Sequence, residues 1–122
     1  MEGLKVDVST EDEILVLTLK GQLLSRDDGQ TVLSTLYQRW PENKVVKILV
    51  DLSEINYMNS EGLGTLLRIF TKARQSGGDM ALWGINDRLK QLFIITRLHH
   101  IFNVFDQRAQ AMEFLSGQTP SS

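Results

Sequence analysis

Residues 50–64, VDLSEINYMNSEGLG, join an apolar run to an amphipathic pattern and decide how the whole chain is interpreted. The apolar run ends at Asp51, a short polar link follows, and a helical pattern starts right after Asn59 and Ser60. The Ser60 hydroxyl is therefore expected at the first turn of a helix, beyond the carboxyl end of a strand. Because free N–H groups and the helix dipole favour negative charge there, the position suits a phosphate, but it equally suits an ordinary helix cap.

Composition narrows the class of protein. The 122 residues suit one domain, and 13 basic against 15 acidic residues give a net charge of −2, which removes any general attraction to nucleic acid or anionic lipid. The absence of cysteine excludes disulfides, thiolate catalysis and zinc–sulfur sites. The N-terminus is too polar for a signal peptide, and no apolar stretch approaches the roughly 20 residues that span a membrane. We expect a cytoplasmic protein without membrane insertion.

Apolar spacing predicts the element order β-β-α-β-α-β-α-β-α. The first two strands are expected to form a hairpin that turns at Glu11-Asp12-Glu13, and the second strand is expected to end at Gly21. Ser25 and Asn86 are predicted helix N-caps. The predicted strands are 4–8, 14–20, 45–50, 80–83 and 101–105, and the last helix is predicted at 109–115.

Strands that alternate with helices after an opening hairpin indicate an α/β fold. We predict one domain over residues 1–116, with a mainly parallel sheet of four to five strands, an N-terminal antiparallel hairpin and helices mostly on one face. Right-handed crossovers would connect the parallel strands. Residues 117–122 are predicted to be a disordered polar tail.

Conventional catalysis finds no support in the residues. His99 and His100 are adjacent and lack the i, i+4 spacing of a helical metal site, so they are interpreted as the end of an element before a strand. Ser60 lacks the first glycine of a nucleophile elbow, and nothing marks a base for it. Gly62 and Gly64 do not complete a nucleotide-binding loop. We therefore predict no enzyme, no cofactor and no metal.

The two glycines still need a physical reason, because each costs about 1 kcal/mol in a helix relative to alanine. Either another backbone approaches the first turn closely, or the helix simply packs onto the sheet. The sequence leaves both explanations open.

The run from Val50 to Gly64 resembles the central motif of STAS domains, the anti-sigma factor antagonists. That motif ends a buried strand in aspartate and passes through a short turn to D-S-S/T-G-L-G, which opens a helix. Here the corresponding residues read N-S-E-G-L-G from Asn59 onward. Gly21-Gln22-Leu23 resembles the family's G-x-L segment, and the resemblance covers roughly residues 4–115.

The resemblance implies a partner-switching regulator. An anti-sigma factor with serine kinase activity would phosphorylate Ser60 and be released, and a phosphatase would restore the hydroxyl. The unphosphorylated form would bind the anti-sigma factor. The residues implied as partner contacts are Asn59, Ser60, Glu61, Gly62 and Gly64. We expect a monomer or a weak dimer.

Three positions depart from the family's pattern and keep alternatives open. Asn59 replaces the usual aspartate, keeping a capping oxygen, Glu61 replaces a second hydroxyl, and Leu24 stands where an acidic residue usually follows the G-x-L segment. A second hypothesis is therefore a STAS-type binding subunit of a lipid-transport or signalling assembly, in which Ser60 only caps its helix. A third, an enzyme or ligand carrier of flavodoxin-like shape, lacks a phosphate loop or catalytic pair to support it.

Overall fold

Strands and helices alternate in the predicted order in a computed structural model that describes residues 3–117. The strands are β1 Lys5–Glu11, β2 Ile14–Leu23, β3 Lys47–Met58, β4 Asp79–Trp83 and β5 Asn103–Phe105. The helices are α1 Arg26–Tyr37, α2 Ser60–Gln75, α3 Asp87–Ile95 and α4 Arg108–Ser116, with a short 3-10 helix at Leu98–His100. The predicted α/β class is confirmed. Of the predicted domain and tail, residues 1–2 and 118–122 lie outside the described residues.

β1 and β2 form the predicted antiparallel hairpin around a two-residue turn. Glu11 pairs with Ile14, so it belongs to β1 and not to the turn as predicted. Asp12 and Glu13 have φ angles of 52° and 67°. Positive φ at both central residues is typical of the type I′ turn, whose twist matches that of the flanking strands.

β2 continues to Leu23, so the predicted end at Gly21 is wrong. Gly21 lies inside the strand with a φ of 108°, next to a point where the register of β2 on β3 shifts. An added Cβ at this residue would lie 3.0 Å from the Gly3 carbonyl oxygen. Glycine therefore allows an irregularity within β2 instead of terminating it.

β3 ends at Met58, so the prediction of a strand end at Asp51 and a polar link after it is wrong. Residues from Glu54 onward pair with the end of β2, where Leu23 lies opposite Met58. The buried residues Leu52, Ile55 and Met58 are three positions apart, so the alternation typical of a strand is hidden. Because β4 pairs with β3 only as far as Asp51, residues 52–58 and the end of β2 form a two-stranded ribbon beyond β4.

The sheet has the order β1-β2-β3-β4-β5, and β2 to β5 run parallel. The larger hydrophobic core lies between the sheet and α1, α2 and α3, and α4 packs on a smaller core. The predicted sheet, and the placement of most helices on one face, are thus confirmed. The smaller core holds Ile14, Val16, Leu49, Ala81, Ala111 and Leu115.

All four helices begin at one edge of the sheet, because each follows a parallel strand. We call it the carboxyl edge. The first helical residues there, at the N1 position, are Arg26, Ser60, Asp87 and Arg108. Ligands of open α/β sheets bind at such an edge, so we look for the candidate site among the residues that lie there.

Candidate functional site

Asn59 caps α2 and ties it to the end of β2. Its Oδ1 accepts the Glu61 N–H at 3.0 Å, and its Nδ2 donates to the Leu24 carbonyl at 2.8 Å. Its own N–H donates to the Leu23 carbonyl at 3.4 Å. The expected capping oxygen of Asn59 is confirmed, whereas the interpretation of Ser60 as the cap is wrong, since Ser60 is the first helical residue.

Ser60 presents an unengaged hydroxyl at the carboxyl edge. The residue is exposed, and its side chain makes no hydrogen bond with any of residues 3–117. It lies in the first turn of α2, where backbone N–H groups lack intrahelical acceptors and the dipole favours negative charge. The hydroxyl is therefore open to modification by another protein.

Glu61 adds a negative charge directly beside Ser60. The residue is exposed, and it supplies the acidic charge in the first turn of α2. Its backbone is held in place because its N–H is bonded to Asn59 and its carbonyl accepts the Thr65 hydroxyl at 3.0 Å. The carboxylate suits the positive end of the helix dipole.

Gly62 and Gly64 serve different purposes. Gly62 is buried, and an added Cβ would lie 2.7 Å from the Met58 Cβ and 2.9 Å from the Leu23 carbonyl oxygen. Close approach of the β2 backbone therefore explains Gly62. An added Cβ at Gly64 would meet nothing within 4 Å, so Gly64 leaves open space.

A groove of about 340 Å³ runs between α1 and α2 beside Glu61. The two helices approach closely, since an added Cβ on Gly29 would lie 2.5 Å from the Thr65 hydroxyl oxygen. The groove is lined by Arg26, Gly29, Gln30, Glu61, Gly64, Thr65 and Arg68. We call it the α1–α2 groove.

α3 begins in the same manner as α2. Asn86 is its predicted N-cap, and the Asn86 Oδ1 accepts the Leu89 N–H at 2.9 Å. The Asn86 amide donates to the carbonyls of Ile55 and Asn56, at 3.3 and 3.0 Å, on the unpaired side of the β3 ribbon. The N1 residue of α3 is Asp87, whose carboxylate suits the helix dipole.

Arg108 begins α4 and is paired within the chain. Its two terminal nitrogens donate to the Glu11 carboxylate at 3.1 and 2.9 Å, which joins α4 to the hairpin. This hydrogen bonding lowers the pKa of Glu11 below its ordinary value of 4.5. The bidentate geometry is the strong form of such a pair.

The two histidines lie in the 3-10 helix before β5, as the sequence predicts. Both are exposed, their ring centroids are 3.9 Å apart, and His99 Nδ1 lies 3.2 Å from the Phe93 carbonyl. Nothing in residues 3–117 groups three potential metal ligands. Across the same residues, every helix is too short or too polar to cross a bilayer.

A sequence model of the STAS domain family matches residues 5–111, which is most of the chain. The chain belongs to the STAS domain family. The anti-sigma-B factor antagonist of Listeria monocytogenes is 39% identical over 59 residues, which are 48% of this chain and 52% of that protein. The match thus spans about half the length of this relative.

Solved STAS structures share the fold. A candidate anti-sigma factor antagonist of Thermotoga maritima has a TM-score of 0.81 at 22% identity, over 91% of this chain and 94% of that one. The anti-sigma factor antagonist SpoIIAA in its unphosphorylated form has a TM-score of 0.63 at 17% identity, over 95% and 100%. The phosphorylated form of SpoIIAA from Bacillus has 0.68 at 15%, over 90% and 98%.

The STAS motif alone misses the α1–α2 groove. Sequence patterns do not single out Arg26, and helical spacing places Arg68 only on the solvent-exposed face of α2. One signal was present, since Arg26 follows the predicted cap Ser25, where the helix dipole disfavours a cation. Arg26 and Arg68 line one groove only because α1 packs on α2, and no local sequence pattern predicts that packing.

Proposed function

We propose that this STAS domain is an anti-sigma factor antagonist that is switched by phosphorylation of Ser60. The observation that carries the proposal is the exposed hydroxyl at N1 of α2, which makes no hydrogen bond within residues 3–117. Family membership and the names of the relatives support the antagonist role. SpoIIAA, which has the same fold, is described in both phosphorylated and unphosphorylated forms.

The proposed partners are an anti-sigma factor with serine kinase activity and a phosphatase that restores the hydroxyl. The unphosphorylated domain binds the anti-sigma factor through a surface centred on Ser60, with Asn59, Glu61 and Gly64 around it. Gly62 is buried, so a partner at this position contacts the residues around Gly62 and not Gly62 itself. The domain itself performs no catalysis, and its cytoplasmic location and its monomeric or weakly dimeric state stay predictions.

Charge explains how one phosphate could break binding without unfolding the domain. Phosphorylation adds a charge of about −1.5 to −2 at neutral pH. In the first turn of α2 this charge gains about 0.3–1 kcal/mol from the dipole. Across a docked interface the same charge is desolvated or meets like charge, at a cost of several kcal/mol. About 2.8 kcal/mol suffices for a hundredfold loss of affinity.

The test uses purified ATP-binding anti-sigma factors from the same genome. Incubation with ATP should add one phosphate to the wild-type chain, and mass spectrometry of its peptides should place it on Ser60. Ser60→Ala should abolish the mass shift and keep binding to the anti-sigma factor. Phosphorylated protein should bind at least about a hundredfold more weakly.

Ser53→Ala is a matched control, because Ser53 is also exposed but its hydroxyl donates to Asp51 at 2.7 Å. This variant should be phosphorylated as the wild type is. Phosphate on another residue, or an unmodified chain that still binds a transporter or signalling subunit, would favour the STAS binding subunit without a switch.

A further inference from the structure

Two arginines in the α1–α2 groove have no anionic partner within the described chain. Arg26 and Arg68 line the groove and make neither an ion pair nor a hydrogen bond with residues 3–117. Glu61 is the acidic residue of the groove lining, so the lining holds one carboxylate and two guanidinium groups. The groove therefore carries an excess of positive charge on a chain whose net charge is −2.

Arg26 is best understood beside Arg108. Both arginines occupy the N1 position of a helix, where the dipole disfavours a cation. Arg108 is offset by its bidentate pair with Glu11. Arg26 makes no such pair with residues 3–117, although Asp27 and Asp28 share its first turn, so its guanidinium hydrogen bonds are left for a group from outside this part of the chain.

The shape of the groove indicates which anion fits. Gly64 leaves room for an incoming side chain, and the volume of about 340 Å³ accommodates a few side chains. Guanidinium groups bind carboxylates through paired hydrogen bonds. A long polyanion such as nucleic acid would also extend over the rest of a chain whose net charge is −2, whereas a short acidic peptide segment would be confined to the groove.

We propose that the α1–α2 groove binds an acidic segment of the protein that docks on Ser60, with Arg26 and Arg68 pairing with its carboxylates. That this protein is an anti-sigma factor rests on the proposed function, whereas the binding of carboxylates in the groove does not. Glu61 lines the groove and is adjacent to Ser60, so phosphate on Ser60 would place more negative charge beside the same acidic segment. Phosphorylation would then also weaken the binding of the acidic segment in the groove.

The first experiment needs no partner protein. The isotopically labelled full chain is titrated with a capped peptide of alternating glutamate and alanine, and amide shifts are followed by NMR at low and high salt. The shifts should centre on Gly29, Gly64 and Thr65 and diminish with salt. Arg26→Gln combined with Arg68→Gln should weaken binding about tenfold or more.

Matched controls separate groove binding from general charge. Lys44→Gln combined with Arg97→Gln removes the same charge at exposed positions outside the groove and should leave binding unchanged. A glutamine version of the peptide should cause no shifts. Equal shifts with inorganic phosphate would overturn the acidic-segment assignment in favour of a general anion site, and shifts centred elsewhere would overturn the groove itself.

The second experiment uses the anti-sigma factor that modifies Ser60. If it binds the wild type and the Arg26→Gln, Arg68→Gln variant equally, the groove proposal fails while the phosphorylation proposal stands. If no anti-sigma factor binds the wild type, the proposed function fails, and the peptide titration still decides whether the groove recognises carboxylates.

Discussion

The beginnings of α2 and α3 can be compared residue by residue. Each helix follows a parallel strand and is capped by an asparagine whose oxygen accepts a first-turn N–H and whose amide donates to a neighbouring carbonyl. The N1 residue is the neutral Ser60 in α2 and Asp87 in α3. α3 therefore carries permanently the kind of charge that phosphorylation would give α2. This local architecture accommodates a negative charge at N1.

The two helices differ again at the third helical residue. α3 has Leu89 there, a side chain buried in the core, whereas α2 has Gly62. The first turn of α2 consequently lies against the Leu23 carbonyl, closer than a side chain would permit. The following predictions test this comparison.

The largest effect is expected from Gly62→Ala. Its Cβ would clash with the Met58 side chain and the Leu23 backbone, so the free energy of unfolding should fall toward the upper end of about 1–3 kcal/mol. Gly64→Ala is the control and should raise stability by about 0.5–1 kcal/mol, because nothing obstructs its Cβ. Urea denaturation measures both, and equal losses would refute the close approach at Gly62.

The asparagine caps come next. Asn59→Ala and Asn86→Ala should each lower the free energy of unfolding by about 1–2 kcal/mol, because both remove a capping oxygen. Asn59→Ser keeps a capping oxygen but loses the donor to Leu24, so an intermediate loss is expected. If Asn59→Ser matched Asn59→Ala in urea denaturation, the cap would contribute nothing and the bridge to Leu24 would carry the whole effect.

A smaller change in stability is expected from adding or removing a charge at N1. Ser60→Asp should raise stability, and Asp87→Asn should lower it, each by about 0.3–1 kcal/mol through the helix dipole. Both shifts should shrink at high salt. Thermal unfolding of the two variants checks the signs, and a marked destabilisation by Ser60→Asp would show that α2 does not tolerate charge as α3 does.

The smallest effect concerns α4, whose N1 cation is offset by Glu11. Since the folded pKa of Glu11 lies below its ordinary value of 4.5, the pair contributes stability above that value and loses it as the pH falls through the folded pKa. Wild type should therefore lose slightly more stability on acidification than Glu11→Gln does. Parallel pH-dependent melting curves of the two proteins that differ by a constant would contradict this.

Local patterns in the sequence predicted the element order and the caps well, because Ser25 and Asn86 precede regular apolar spacing. They failed from Leu52 to Met58, where register shifts in the pairing with β2 replace strand alternation by a three-residue spacing. A strand of this kind is defined by its partner, which lies far away in the chain.

The candidate site divides in the same way. Ser60 was found because a motif surrounds it within a few residues. The lack of a hydrogen bond from its side chain to residues 3–117 follows from the folded structure, and the position of Arg26 and Arg68 in one groove follows from how α1 packs against α2. Such relations between distant residues are set by tertiary packing, which single-residue patterns do not encode.

The length of the ribbon formed by residues 52–58 and the end of β2 determines how far Ser60 projects beyond the sheet. Within the described part of the chain, residues 21–23 and 55–58 pair only with each other, so they extend beyond β4 and carry the start of α2 at their tip. Each residue of a strand adds about 3.3 Å, so lengthening or shortening both strands of the ribbon by two residues would displace the hydroxyl by about 7 Å while the five-stranded region stayed intact. Under the proposed switch, the length of this ribbon would therefore set where a docked partner meets the serine, independently of the chemistry at the serine itself.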